Sequence, residues 1–538
     1  MSKKLYENYF DELIHLFPSI NEVLNLEKYK QLNHLLENEF SEHHINKQKE
    51  LFSKYFNILN KNKKGLDIFG KTLLFICSNS IEYFSLDLDL IPINHQENIL
   101  IHLMEMGSEH STRLLLTKND FSNVLNKLKV LECVTNNIIL NMQKGIKKKV
   151  TLPKIIASKL LEQFETFKKN KSYLNRKIQV KLDINFNKEV ENIVLPCLDK
   201  IIKFLKEEYI KSCRNSIGLS SVSNGKKMYK YLIKNTLQID EYSIGEIHNY
   251  GIKEVERIYN EMIDIKNYYR YKGNLKDFHK KLLTNDKLKF KNSKEIVKTY
   301  VDEIKNINKS IIKSQFYNKV KEIDCKVKEV PMYNQDFSSE AYYIHGSIDN
   351  KRKGTFYINT KYIKNMNKID VESLTLHEAN PGHHYQQTYV LESKNIPLFL
   401  KYYGSDSYAE GWALYCERLG EYKDKISYFG KLILEMIRAL RLVVDTGIHY
   451  YNWSFEKTFN YYKKYSFDSD SRINNQILRY IAIPTQALSY KIGEKVILEC
   501  LEAEKKNKSD KFNIKKFHEK ILEDGPVPLF LLKEKFID

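Results

Sequence analysis

A mainly α-helical fold is what this sequence predicts, and three observations carry the expectation. Helix breakers are scarce, with 10 Pro and 19 Gly among 538 residues. Long stretches repeat apolar residues at i, i+3, i+4 and i+7, which gives each helix one face to bury. Alternating strand-type patterning is confined to one place, residues 338–360.

In chain order, YFDELIHLFPSINEVL (9–24), VENIVLPCLDKIIKFLKEEYI (190–210) and GEIHNYGIKEVERIYNEMIDI (245–265) all show the helical period. The stretch SSEAYYIHGSIDNKRKGTFYINT (338–360) instead sets β-branched and aromatic residues around a turn-like Gly-Ser-Ile-Asp-Asn, the mark of a small hairpin or sheet. The charged KGIKKKVTLP (144–153) is the one candidate boundary. It would divide an N-terminal helical scaffold, 1–150, from a helical region, 151–538, that carries the site; the alternative is one continuous unit.

The chain carries 87 Lys+Arg against 68 Asp+Glu, a formal charge of +19. An anionic partner is one reading of that excess. The lysines, however, are dispersed among acidic and apolar positions, and the densest run, Lys147-Lys148-Lys149, is three long. Binding patches cluster, so solvated helix faces are expected rather than a specific nucleic-acid surface. Seven widely spaced cysteines with no C-x-x-C argue against a disulfide framework or a cysteine zinc site. With no signal-like apolar segment at the N-terminus and no apolar run approaching ~18 residues, the expectation is a cytoplasmic protein without a membrane span.

The chemistry concentrates in LTLHEANPGHHYQQ (374–387). His377 and Glu378 begin an H-E-x-x-H motif, but position 381 is Pro. On a straight helix His377 and His383 point to different faces, and His384 lies about 10 Å further along the axis at 1.5 Å per residue. Neither pair chelates a metal from a regular helix. Pro381 cannot donate to the carbonyl of His377 and biases Asn380 out of the α region, while Gly382 accepts unusual dihedrals. With Pro381-Gly382 looped out, H-E-x-x-H is restored as His377-Glu378-Ala379-Asn380-His383. We favour His377 and His383 as ligands, with His384 as the alternative or as a supporting or substrate-contacting group.

A catalytic zinc needs a third protein ligand and an open position. SYAEGWALYCERLGEY (407–422) offers Glu410 and Glu417, seven residues apart and so on one helical face. Glu410 is the favoured ligand and Glu417 the supporting carboxylate, with the reverse left open. Gly411 and Ala413 are expected to let this helix approach the histidine helix closely.

These residues resemble the domain of unknown function 885 family, whose members carry HExxPGHH and EGWxxY signatures. The likeness continues in RALRLVVDTGIHYYNWS (438–454), ILRYIAIPTQALSYKIG (477–493) and FHEKILEDGPVPLFLL (517–532), and covers roughly residues 50–535. The family is similar to helical gluzincin metallopeptidases. The resemblance implies a large, mostly α metallopeptidase-like fold with a deep cleft, a Zn2+ ion and peptidase-type chemistry. One departure is Pro484-Thr485-Gln486-Ala487-Leu488, where the family usually has PGQAL.

On that reading zinc held by His377, His383 and Glu410 lowers the pKa of its water, and Glu378 acts as general base. Gluzincin-like sites align the substrate backbone along an upstream edge strand. GTFYINT, with Gly354, Thr355, Phe356 and Tyr357, is expected to do this by strand addition. Oxyanion support is expected from Arg479, Tyr480, Gln486 or Tyr490. Arg441, Asp445 and His449 recur every fourth residue, and an Asp-His pair suits ligand orientation or transition-state support. The expected substrate is a peptide or small amide. The competing readings are a catalytically inactive zinc scaffold, a zinc hydrolase of a non-peptide amide or ester, and a basic nucleic-acid binder. Glu378 separates the first from an enzyme, because a structural zinc needs no base.

Overall fold

Helices form where the apolar period runs uninterrupted. A computed structural model describes residues 3–108, 115, 117–174, 176, 178, 180–331, 335, 340–349 and 352–537. The fold is mainly helical with one small sheet. Two compact units divide the chain. The first comprises Met1–Tyr231 with Ile448–Phe455 and Ile481–Pro484; the second comprises Leu232–Gly447, Glu456–Tyr480 and Thr485–Asp538.

The first unit is a helical assembly. Leu131–Lys148 buries Leu131, Val134, Ile138 and Met142, one stripe at three- and four-residue spacing. Phe186–Phe204 answers with Val190, Val194, Leu198 and Ile201. Helix starts are fixed by side-chain caps: Ser41 accepts from the His44 amide, Asp67 from Gly70, and Thr117 with Asp120 forms a capping box. Residues 144–153 fall inside this unit, spanning the end of one helix and the approach to the next at Lys154.

The second unit holds the motifs. Its elements used below are α1 (Ile244–Tyr268), α2 (Ser293–Ile307), β1 (Lys326–Glu329), β2 (Ala341–Ile344), β3 (Thr355–Ile358), α3 (Val371–Glu378), α4 (His383–Glu392), α5 (Asp406–Glu417), α6 (Lys425–His449), α7 (Asp470–Ala482) and α8 (Ser489–Lys508). The sheet order is β1-β3-β2. β2 pairs antiparallel with β3, Ala341 opposite Ile358 and Ile344 opposite Thr355, so the expected antiparallel pair is present. Ser338, Ser339, Asn350 and Lys351 of that stretch lie outside the described residues. β1 adds a parallel strand on the other side of β3, Lys326 opposite Thr355. Phe356 and Ile358 are fully buried, and the Phe356 ring meets Tyr300 of α2 edge-on at 5.3 Å.

Two features stiffen this unit. At Gly411 of α5 and Gly493 of α8 the helices meet backbone to backbone. A Cβ on Gly411 would sit 2.4 Å from Gly493, and one on Gly493 would sit 2.0 Å from the Ser407 carbonyl oxygen. The expected close approach at Gly411 is therefore made to α8 and not to the histidine helix, because that is where no side chain intervenes. Beside the crossing lies a buried ionic cluster. Lys491 pairs with Glu435 at 2.9 Å and Glu254 at 2.6 Å, Arg257 with Glu254, Glu261 and Glu435, Arg418 with Glu435 and Glu494, and Lys431 with Glu435. Four cations answer four carboxylates, the condition under which buried charge is tolerated.

Among the described residues no helix is long and apolar enough to cross a membrane. All seven cysteines are free thiols.

Candidate metal centre

The site begins with a helix that stops. α3 ends at Glu378, Ala379 leaves helical dihedrals at φ −101°, ψ −112°, and α4 starts at His383. The Pro-Gly pair thus separates two short helices instead of bulging from one. Packing fixes the turn from several sides. Trp412 of α5 donates its indole N–H to the Pro381 carbonyl at 2.8 Å. Asn380 donates to Asn308 Oδ1 at 2.8 Å and to the Ile323 carbonyl at 2.9 Å. A Cβ at Gly382 would fall 1.9 Å from the His377 carbonyl oxygen, so only glycine fits.

This break brings His383 back to His377, their ring centroids 4.9 Å apart. α5 presents Glu410 to both: Glu410 Oε2 lies 3.4 Å from His377 Nε2 and 3.5 Å from His383 Nε2. One ligand atom from each residue lies within 4.8 Å of the others. The two Glu410 edges fit a tetrahedral ion. Bonds of about 2.0–2.2 Å give ligand–ligand edges of about 3.3–3.6 Å. Glu410 Oε2 is also buried without a hydrogen-bond partner, an orphan acceptor that a cation would satisfy.

Behind His377 stands Glu417, one helical repeat beyond Glu410. Its Oε1 takes the His377 Nδ1 proton at 2.8 Å and its Oε2 accepts from Ser373 Oγ at 2.8 Å. A carboxylate only accepts, so Nδ1 carries a proton and Nε2 is the nitrogen turned to Glu410 and His383. Burial pulls the His377 imidazole down, but the Glu410 and Glu417 carboxylates on its two sides outweigh it and hold it up at about 9. Burial would raise Glu417, yet Arg438, His377 and Ser373 together hold it below the usual carboxylate range. Glu410 is likewise held well below that range, burial being outweighed by the two histidines. Such carboxylate–histidine pairs typically contribute 10–100-fold in metal affinity. We expect Glu417→Gln to weaken zinc binding by about that factor in a competition titration, with the circular dichroism spectrum unchanged. Unchanged affinity would remove Glu417 from the site.

Glu378, in the last turn of α3 beside His377, is partly exposed. Tyr490 of α8 feels the Glu410 charge. Burial first and Glu410 second raise its phenol, which leaves a protonated hydroxyl donor. The Arg441 guanidinium lies 4.4 Å from the Tyr490 ring centre, and Arg479 donates to Gln486 at 2.9 Å.

Other expected residues are placed elsewhere. His384 points away from the ligand group: Tyr343 Oη occupies its Nδ1 and the Glu322 carbonyl its Nε2, each at 3.0 Å. It is therefore not available as the alternative ligand. The strand role of Gly354, Thr355, Phe356 and Tyr357 is corrected too. β3 is the middle strand with both edges paired, so no backbone edge remains for substrate to join. A Cβ on Gly354 would sit 2.2 Å from Tyr343 Oη, which accounts for that glycine by packing. Tyr480 is buried, donating to Gln476 at 2.9 Å and lying 3.4 Å from Arg441 Nε. Each of Asp445 and His449 holds a backbone amide. Asp445 accepts from the Thr485 amide at 3.0 Å. His449 is fully buried in the first unit, where its Nδ1 accepts from the Leu219 amide at 3.2 Å. That hydrogen bond engages one of its two ring nitrogens.

Thr485 takes φ 74°, the left-handed region that favours glycine. Its hydroxyl compensates through Thr236 Oγ1 at 2.6 Å. Relief of strain and loss of this bond are each worth about 1 kcal/mol. We expect Thr485→Gly to change stability by less than about 1 kcal/mol. Thr485→Val keeps the strain and drops the bond, and should be the worse of the two in thermal unfolding. The reverse order would show that the hydroxyl contributes nothing.

Sequence reading missed Trp412, Asn380 and Ser373 as supports of the site. Trp412 stands two residues after Glu410, and Ser373 one turn before His377, so spacing alone could have suggested them.

Fold and site define a helical protein with a His-His-Glu group of metal-ligating geometry. The chain belongs to the family described as "Bacterial protein of unknown function (DUF885)", whose model matches residues 25–536. Two solved structures share its fold. One is described as "the putative lipoprotein from Colwellia psychrerythraea", at 23% identity and TM-score 0.86, covering 99% of this chain and 97% of that one. The other is "a putative lipoprotein of unknown function from Shewanella oneidensis", at 17% identity and TM-score 0.77, covering 100% of both chains. No curated protein matches the sequence.

Proposed function

We propose that this protein is a zinc-dependent hydrolase that cleaves peptides. The observation carrying the proposal is the orphan Glu410 Oε2, buried between two imidazole nitrogens at tetrahedral-edge distances. A zinc ion held by His377, His383 and Glu410 would polarise the scissile carbonyl and lower the pKa of the attacking water. Glu378 takes the proton of that water and passes it to the leaving amine. Glu417 keeps His377 in the tautomer that turns Nε2 to the metal. Tyr490 donates to the developing oxyanion, with Arg441 against its ring and Gln486 beside it.

The test is mass-spectrometric profiling of a mixed peptide library with zinc-loaded and chelator-treated protein. Cleavage that zinc restores supports the proposal. Bound zinc without cleavage of any peptide would overturn it in favour of a non-peptide amide or ester. A cytoplasmic location is part of the same reading, supported by the seven free thiols. Since both structural neighbours are described as lipoproteins, cell fractionation decides it: recovery with the membranes would overturn it.

A further inference from the structure

Asp370, Leu374 and Glu378 stand four residues apart and so form one stripe along α3. Its two turns span about 12 Å at 1.5 Å per residue. Glu378 ends the stripe beside the metal ligands. Asp370 and Leu374 line a cavity of about 590 Å³ within the second unit, a size typical of ligand sites. Tyr300, which also lines it, feels the Glu378 charge. Leu374, one turn before Glu378 on that stripe, sets the cavity on the face of α3 that carries the proposed base.

The lining divides into two parts. Leu374, Ile433, Leu434 and Ile437 supply an apolar wall. The charged residues are Glu340, Asp370, Asp468 and Arg472. Arg472 is already shared, with both Glu340 oxygens and with Asp468 Oδ1 at 3.0 Å. One cation thus pairs directly with two carboxylates and reaches Asp370 only through space. Among the described residues no other side chain bonds to Asp370, and as the residue capping α3 it makes no side-chain cap bond. Burial first and Glu340 second push its carboxyl up to about 7, outweighing its own backbone amide and the Arg472 charge. His279, the remaining titratable group of the lining apart from Tyr300, is pulled down to about 4 by burial and stays neutral. Elsewhere the chain is strongly basic, at +19. A net acidic pocket on such a protein selects what its surface repels.

We infer that this cavity binds the lysine or arginine side chain of the peptide substrate, its aliphatic stem on the Leu374–Ile437 wall and its cationic head on Asp370. The inference rests on the peptidase reading for its substrate, but the pocket can be tested without cleavage. An arginine stem packs on apolar surface while its head keeps polar partners, which is what this division of the lining offers.

The experiment measures calorimetric binding of acetyl-Ala-Arg-Ala-amide to the full zinc-loaded chain. The citrulline peptide, of the same shape without the charge, and the norleucine peptide serve as comparisons. We expect the arginine peptide to bind at least tenfold more tightly than either. Asp370→Asn should abolish that preference, bringing the arginine peptide down to the level of the citrulline peptide. Asn also caps helices, so this variant should fold. Binding of the arginine peptide should weaken as the pH falls through about 7 and the Asp370 carboxyl is neutralised. Equal binding of arginine and citrulline by the wild type overturns the inference with no variant needed, as does a preference that Asp370→Asn leaves intact. The two readings fail separately. Cleavage without basic preference removes the pocket assignment alone. Asp370-dependent arginine binding without any cleavage removes the peptidase alone.

Discussion

Glu378→Gln is expected to keep its fold and its zinc and to lower kcat by roughly 10²–10⁴-fold, the usual contribution of a positioned general base. Glutamine preserves the volume of the side chain and replaces none of the three proposed ligands. What it lacks is the ability to accept a proton from water. KM should change little, because binding precedes the proton transfer. Steady-state kinetics on any peptide found by library profiling, with zinc measured by mass spectrometry on the same sample, separates the effects. A kcat within a few-fold of wild type would remove Glu378 as base. A loss of zinc alongside activity would show that it supports the metal instead.

Lys491→Met should destabilise the second unit by about 3–5 kcal/mol, the usual cost of removing one partner from a buried ion pair. Lys491 is fully buried between Glu435 and Glu254, and Glu435 is fully buried as well. Methionine fills most of the space, so the expected loss comes from carboxylates left without a counter-charge rather than from a void. The contrasting variant is Lys298→Met at an exposed i,i+4 pair with Asp302, where no measurable change is expected. Calorimetric unfolding of both variants provides the comparison. If the two behave alike, the cluster is not what holds α1, α6 and α8 together.

Which features were legible in the sequence depends on how far each interaction reaches. Helices were legible because the apolar period is local and breakers are few. The return of His383 to His377 was legible because Pro381 and Gly382 act within one turn. Glu410 and Glu417 were legible as one face because seven residues is two helical turns. β1 was not. Lys326–Glu329 is four residues long and mostly charged, and its pairing with β3 rests on tertiary contact alone. Missing it turned a central strand into an expected edge. The partner of His449 Nδ1 was not legible either, because helical spacing places a residue on a stripe without saying what lies opposite, here the Leu219 amide, 230 residues away. Asp370 left no mark at all, since a cavity is made of residues distant in sequence.

The glycine crossing of α5 and α8 has a consequence for motion. Domain closure in enzymes proceeds by hinging or by the sliding of packed helices. Sliding requires side chains that can change rotamer at the contact, and at Gly411 and Gly493 there are none, only main chain against main chain. Shear here would drive main chain into main chain. We expect Glu410 and Tyr490 to move together, and any opening of the second unit to bend at segments outside this pair.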